Sequence, residues 1–257
     1  MNIENSSAVE AVELTAGMDN LDLNTKRVKP NLRLIDTTKA KKKGKIVHRE
    51  IGLVERIFKR TLDIIGGIVG VILLIPITIG VMIANKIAHD EGPVFFIQKR
   101  IGKNGKPFKM IKFRSMIVGA DEALYKYLAE NPEAREEYRI NKKLKNDPRI
   151  TKVGAFIRKT SLDEFPQFIN ILKGDMSLVG PRPYLPRERK DMGIYYKYIV
   201  ARKPGLTGFW QVNGRNDVTF ADRLYLDMKY YDKSSIWLDI KLLLKTVHKV
   251  IRKEGVA

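Results

Sequence analysis

The spacing of apolar residues changes several times along this chain, and each change predicts an element. From Ile64 to Ala84 the stretch "IIGGIVGVILLIPITIGVMIA" carries no charge. At 1.5 Å per residue its 21 positions make a helix of about 32 Å, enough to cross the hydrocarbon core of a bilayer. Uncharged runs of this length are membrane segments by default, against the alternative of a buried helix in a soluble protein. Pro76 lies mid-run, where it removes a hydrogen bond and crowds the preceding turn, at about 3 kcal/mol in a regular helix. Both flanks are basic: Arg56, Lys59 and Arg60 before, Lys86, Lys99, Arg100, Lys103 and Lys106 after. Cation-rich flanks belong on the cytoplasmic side. With both qualifying, the pattern favours a re-entrant helix-break-helix over residues 51–88, bent at Pro76. A kinked span stays open.

After this run the period shortens. Val94–Gln98 and Phe108–Phe113 read as short strands, and Asn104-Gly105 between them is a strong turn signal, so a β-hairpin is expected. Residues 119–145 are charge-rich and helical, broken near Asn131-Pro132. Ile150, Val153, Phe156 and Ile157 then recur at helical spacing. "KPGLTGFWQVNGRN" is an irregular Gly-rich loop. In the tail, Ile236, Ile240, Leu243, Leu244, Val247 and Ile251 share one helical face, to dock on the core or lie in the membrane interface. No internal repeat is visible. The expected fold is α+β and helix-rich: one membrane-seated domain with a Pro-broken re-entrant helix and a small β-hairpin. Residues 1–50 read as a disordered, partly basic extension, and 89–257 as a cytosolic catalytic domain with amphipathic interfacial helices.

Charge narrows the function. Lys plus Arg number 48 against 29 Asp plus Glu, a formal net charge of +19 over 257 residues. The partners this predicts are polyanions: nucleic acid, anionic headgroups or phosphorylated substrates. The first 25 residues hold acids and no Lys or Arg, which excludes a signal-peptide pattern. Between Lys39 and Arg60 the chain turns strongly basic, as a collar on an anionic bilayer would, at roughly 1 kcal/mol per contacting cation. There is no cysteine, so disulfides and thiolate metal sites are excluded. His48, His89 and His248 lie too far apart for zinc-type spacing.

Against this basic background, "TSLDEFPQ" sets two carboxylates side by side. Ser161-x-x-Glu164 reads as a capping box, and acids at a helix start complement its dipole. The same placement suits catalysis. Asp163 could attack phosphorus and form an acyl phosphate, with the helix N-terminus keeping it ionised, and Glu164 could hold Mg²⁺, which favours hard oxygen ligands and phosphates. Cations suited to phosphate stand in Gly- and Pro-fixed segments: Arg158, Arg182 between Pro181 and Pro183, Arg215 in "NGRN", and Lys112 and Arg114 in "KFRSM".

Three segments in order, "GPVFFIQKRIGKNGKPFKMIKFRSM", "TSLDEFPQFINILKGDMSLVGPRP" and "KPGLTGFWQVNGRN", follow the proline-interrupted hydrophobic run. From about Leu53 onward the chain thereby resembles the small membrane phosphoglycosyl transferases, the bacterial initiating sugar transferases. The resemblance implies transfer of a sugar-1-phosphate from a UDP-sugar to undecaprenyl phosphate, with release of UMP, at the start of exopolysaccharide, capsule or O-antigen assembly. It implies Asp163 as nucleophile, Glu164 as ligand to a Mg²⁺ cofactor, and Arg158, Arg182 and Arg215 in contact with phosphate or nucleotide. The partners it implies are the UDP-sugar, undecaprenyl phosphate and anionic membrane lipids, with no nucleic acid. A homo-oligomer stays open. The implied location is the cytoplasmic face of the bacterial inner membrane. The insert between "KFRSM" and "NDPRI" is similar to that of hexose-transferring relatives, which favours galactose or glucose. Several relatives carry Ser before the membrane proline, where this chain has Ile75. A Mg²⁺-dependent lipid diphosphate hydrolase and a membrane-anchored polyanion binder are the competing readings.

Overall fold

A computed structural model describes residues 52–213 and 218–252. Its first element is helix α1, Leu53–Ile87, with mean hydropathy of 2.7 over its most apolar window, long and apolar enough to cross a membrane. Asp63, Gly67, Gly70, Leu74, Val81 and Asn85 are buried along it. These positions recur every three, four or seven residues, so they form one stripe on a helix of period 3.6. The glycines let other elements approach closely. A Cβ on Gly70 would lie 2.1 Å from the Phe168 ring, and one on Gly67 2.6 Å from Leu172. The opposite face, including Ile65, Ile72, Ile75 and Ile79, is more than half exposed.

The helix-break-helix expectation is corrected here, because α1 continues through Pro76. The proline leaves the Ile72 carbonyl without its usual donor, but Ile72 faces outward, and Leu74, Ile77 and Val81 pack on the domain on both sides of the proline. Thr78 Oγ1 donates to the Leu74 carbonyl at 2.7 Å in the adjoining turn. Residues 1–50, including the acidic start and most of the basic collar, lie outside the described residues.

The N-terminal turns of α1 are bound to the domain by polar side chains. Lys59 donates to the Val179 carbonyl at 2.9 Å and forms an ion pair with Asp239. Arg60 donates to the Ile171 and Leu172 carbonyls at 2.7 and 2.8 Å, completing a helix C-terminus. Lys59 and Arg60 are therefore structural cations rather than part of a lipid-facing collar. Asp63 accepts from Ser177 Oγ at 2.9 Å and from the Leu178 N–H at 2.8 Å.

Strands β1 (Phe95–Ile101) and β2 (Pro107–Phe113) pair antiparallel in the expected hairpin, with Phe95 opposite Phe113 and Ile101 opposite Pro107. Between them Lys103–Gly105 makes a 3₁₀ turn in which Asn104 and Gly105 both have positive φ, 57° and 75°, the left-handed backbone that Asn and Gly tolerate best. Helices α2 (Ala120–Glu130) and α3 (Pro132–Asn141) meet at Asn131-Pro132, where the proline sits in a first turn that needs no N–H. Helix α4 (Lys152–Lys159) starts at Thr151, whose Oγ1 accepts from the Gly154 N–H at 2.9 Å. Within α4, Ile157 is buried but Phe156 is 61 % exposed, against the common face expected for the two.

Next come α5 (Gln167–Lys173) and β3 (Ser177–Val179), which pairs in parallel with β4 (Gly205–Thr207). The short helices α6 (Tyr196–Ile199) and α7 (Phe209–Asn213) flank β4. Helix α8 (Phe220–Lys233) opens with a Thr219–Asp222 capping box, and α9 is Ile236–Arg252. The tail does dock on the core, but on another stripe than expected: Asp239 and Leu242 are buried, while Leu244 and Val247 are 68 and 57 % exposed. A buried acid and the Thr246–Thr207 hydroxyl contact at 2.8 Å belong to that docked stripe, which apolar spacing alone does not reveal. Trp237, Leu244 and Val247 leave α9 an outward apolar surface. The described residues thus make one helix-rich α+β domain with a small hairpin and one long apolar helix.

Candidate active site

Helix α4 ends at Lys159, and the chain turns through Ser161, whose φ is +57°. Leu162-Asp163-Glu164 then forms one 3₁₀ turn, and α5 begins after Pro166. The acids lie before the helix rather than on its cap, and neither Ser161 nor Pro166 makes a side-chain capping bond. This corrects the capping-box reading: in left-handed backbone the Ser161 side chain does not cap the turn. What fixes the acids is apolar. Leu162 and Phe165, on either side of them, pack into the cluster of Leu74, Val81, Phe113 and Ile157. The turn bearing both carboxylates thereby shares an apolar cluster with Leu74, Ile77 and Val81 of α1.

Cations close the other sides. Lys112 on β2 reaches Glu164 Oε1 with Nζ at 2.8 Å. Arg158, one helical turn upstream, donates Nε–H to Ser115 Oγ at 2.8 Å. It is the favourable charge that acts most strongly on Asp163 after Lys112. The Asp163 carboxyl is pushed up to about 6. Burial is the largest cause, Lys112 and Arg158 oppose it, and the Glu164 charge adds to it. The expected depression by a helix N-terminus is absent because Asp163 precedes α5. Glu164 goes the other way. Burial would raise it, but the charge and hydrogen bond of Lys112, then Arg182 and Arg100, hold it below its ordinary value. Two adjacent carboxyls are thus driven apart, the pattern of an acid pair with divided tasks. Glu164 keeps 39 % of its side chain accessible, so the pair sits in a cleft that water reaches.

Beyond β3 the Pro181-Arg182-Pro183 turn brings the Arg182 guanidinium over the Trp210 ring, 5.3 Å from its centroid. Among the described residues that guanidinium has no ion pair or hydrogen bond. Sequence reasoning missed its neighbours. Arg100 is buried, donates to the Pro183 carbonyl at 2.9 Å, and leaves its Nε–H unpartnered. Burial, then the Arg182 charge, lowers Arg100 to about 9. The Arg223 guanidinium also lies over the Trp210 ring, 5.8 Å from its centroid. Pro-fixed and Gly-fixed loops singled out Arg182. Arg100 and Arg223 lie within a strand and a helix, where a lone Arg gives no such signal.

Arg114 is corrected. Its guanidinium is buried, pairs with Asp90 at 2.9 Å, and donates to the Pro93 carbonyl at 2.6 Å. It ties the end of α1 to β2 and has no reach left for a ligand. Arg215 lies outside the described residues. The structure brings Asp163, Glu164, Lys112, Arg158 and Arg182 together. No group of three or more His, Cys, Asp or Glu among the described residues could hold a metal by itself.

The chain matches the profile of bacterial sugar transferases over residues 54–253. It belongs to that family. It is 48% identical over 200 residues to an undecaprenyl-phosphate galactose phosphotransferase of Salmonella typhimurium, covering 78% of this chain and 42% of the relative. It is 42% identical over 197 residues to the exopolysaccharide production protein ExoY of Rhizobium meliloti, covering 77% of this chain and 87% of that one. It is 39% identical to a UDP-glucose:undecaprenyl-phosphate glucose-1-phosphate transferase of Escherichia coli, covering 76% of this chain and 40% of the relative. The chain therefore spans about two-fifths of the length of most of these curated relatives, and nearly all of ExoY.

Proposed function

We propose that this sugar transferase moves a sugar-1-phosphate from a UDP-sugar to undecaprenyl phosphate through a covalent phosphosugar on Asp163. The observation that carries the reading is the divided acid pair: a desolvated Asp163 beside a Lys112-held Glu164, with Arg158 and Arg182 around them. An Asp163 oxygen attacks the phosphorus that bears the sugar, and the bond from that phosphorus to the UMP oxygen breaks. An oxygen of undecaprenyl phosphate then attacks the same phosphorus and breaks its bond to Asp163. The product is undecaprenyl-diphospho-sugar, and the carboxylate is restored. A carboxyl raised to about 6 is mostly ionised at neutral pH, yet more basic than an ordinary Asp, which suits a nucleophile. Arg182, whose guanidinium makes no hydrogen bond or ion pair among the described residues, supplies a planar fork of donors to the diphosphate, and Arg158 offsets charge at the attacked phosphorus.

Glu164 fits one-carboxylate binding of Mg²⁺. It is kept ionised, partly accessible, and bonded to protein through Oε1 alone, which leaves Oε2 for the ion. Mg²⁺ commonly takes one or two carboxylates and fills its shell with water and phosphate oxygens, and it would supply charge neutralisation at the diphosphate.

The seating on the membrane is part of the reading. The domain holds α1 at both ends, through Lys59 and Asp63 and again through Val81 and the Asp90–Arg114 pair. From Asp63 to Asn85 that buried stripe is about 33 Å long, a full bilayer core. A transverse helix would drag the domain through the core, whereas a one-sided seat, with both ends of α1 at the cytoplasmic surface, leaves the outer apolar face in a single leaflet. The names of the relatives favour galactose or glucose, and the reaction would start polysaccharide assembly in the bacterial inner membrane.

The test is Asp163→Asn with UDP-galactose or UDP-glucose and polyprenyl phosphate. UMP release is expected to stop, and label from the sugar phosphate to be trapped on the wild-type chain alone. Undiminished turnover by the variant would sink the nucleophile assignment. Release of inorganic phosphate in place of UMP would favour a lipid diphosphate hydrolase.

A further inference from the structure

Asp227 on α8 is fully buried, and none of the chemistry above uses it. Its Oδ2 accepts two hydrogen bonds, from the Arg182 N–H at 3.1 Å and from the Tyr184 O–H at 2.8 Å. Its Oδ1 is buried with no partner. The two donors are two residues apart in Pro181-Arg182-Pro183-Tyr184, a segment in which neither proline has an N–H to offer. The prolines limit their own φ angles and the backbone before them. The rotation left in the segment is largely at Arg182, and that residue's N–H is the one Asp227 holds. Tyr184 is itself fixed: its ring is 1 % exposed and meets the Phe220 ring edge-on, 5.8 Å between centroids.

The side chain of Arg182 is held differently. Its guanidinium lies over Trp210 and makes no hydrogen bond among the described residues, so its N–H donors stay available to an anion. Burial pushes the Asp227 carboxyl up to about 7, although the neutral Tyr184 hydroxyl bonds it and the charges of Arg182 and Arg223 act on it. Burying a carboxylate with one idle oxygen is a poor way to stabilise a fold, since a neutral acceptor or an apolar side chain would cost less. It is an effective way to hold an arginine-bearing turn rigid without occupying the guanidinium.

We infer that Asp227 is a positioning residue for the transfer reaction, aiming the Arg182 guanidinium at the substrate diphosphate by clamping its backbone. The inference rests on the reading of Arg182 as a substrate contact. Asp227 touches no reacting atom.

A double-mutant cycle on kcat/KM for the UDP-sugar tests it, with melting temperatures measured in parallel. Arg182→Ala is expected to lower kcat/KM by about 100-fold, and Asp227→Ala by about tenfold or more. In the double variant the loss should equal that of Arg182→Ala alone within about threefold, because an aimed group that is gone cannot be misaimed. Asp227→Asn, which keeps an acceptor for both donors, should recover to within about threefold of wild type. If Asp227→Ala does not fold, the same cycle run with Asp227→Asn must show its smaller loss vanishing when Arg182 is Ala. Losses that multiply would assign Asp227 a structural role and overturn the inference. So would a fully active Asp227→Ala beside an impaired Arg182→Ala. A fully active Arg182→Ala would remove the target as well, while the silence of Asp163→Asn would still support the covalent mechanism.

Discussion

Replacing Asp163 by Asn should abolish transfer and at the same time stabilise the protein. The carboxyl stands at about 6 in the folded chain because burial disfavours its charge, against about 3.9 unfolded. With the folded value raised, ionisation costs stability: the cost is absent below about pH 4, grows as pH rises to about 6, and is constant above. Two pH units correspond to about 2.7 kcal/mol, and solvent access to the cleft reduces this to about 1.4 kcal/mol. Asn carries no charge to desolvate and fills nearly the same volume. For a chain of this size about 1.4 kcal/mol is a rise of about 4 °C in melting temperature. The assay is thermal unfolding of both proteins in the same detergent at pH 7.5 and pH 4. The gap should be present at pH 7.5 and shrink to less than a third of its size at pH 4. An Asn variant that melts with or below wild type at pH 7.5, or a gap that does not depend on pH, would refute the desolvation argument whatever the activity shows.

Four further outcomes follow from the same geometry. Transfer by wild type should rise with pH through about 6 and then level off, as Asp163 ionises; Lys112→Met should move that midpoint up by about one unit, and a uniform loss at every pH would show that Lys112 acts otherwise. Asp63→Ala leaves the Ser177 hydroxyl and the Leu178 N–H without their buried acceptor, so the melting temperature should fall by the equivalent of about 2–4 kcal/mol. Gly70→Val should expose α1 to protease by driving it off Phe168, whereas Gly80→Ala, with nothing within 4 Å of the new methyl, should behave as wild type. Chelation by EDTA should stop turnover and Mg²⁺ restore it, and full activity in EDTA would remove the metal role of Glu164.

Much of the site was legible in the sequence because its chemistry is concentrated in short segments. Asp163-Glu164 stands out as two acids in a basic chain, and prolines mark Arg182. The hairpin was equally legible, since Asn104-Gly105 supplies the two positive φ angles its turn needs. What stayed hidden depends on contacts distant in sequence. Nothing local says that the Arg114 guanidinium, just past the end of β2, will meet Asp90 while Lys112, two residues earlier, meets Glu164. The α9 stripe was misread because its docked face carries Asp239, paired to Lys59 some 180 residues away. Pro76 was read as a break because propensity is local, whereas the packing on either side of it is tertiary.

The burial that perturbs Asp163 has an identifiable source. Its turn is flanked by Leu162 and Phe165, which share one apolar cluster with Leu74, Ile77 and Val81 of α1 and with Phe113 and Ile157. On the function proposed above, the apolar helix contributes to the wall of the candidate site as well as serving as an anchor. A soluble phosphotransferase must build such a desolvated wall from its own core. Here, on the proposed function, the apolar helix would help to supply it, next to the leaflet from which a polyprenyl phosphate would arrive. The argument has a consequence for α1. Leu74→Ala should open a cavity under the turn, admit water to Asp163 and lower the midpoint of the pH–rate profile toward 4, with the chain still bound to membranes. A substitution on the outer face, Ile75→Ala, should leave that midpoint where it is. If both variants shift the midpoint equally, or neither does, the desolvation of Asp163 comes from elsewhere and α1 is an anchor alone.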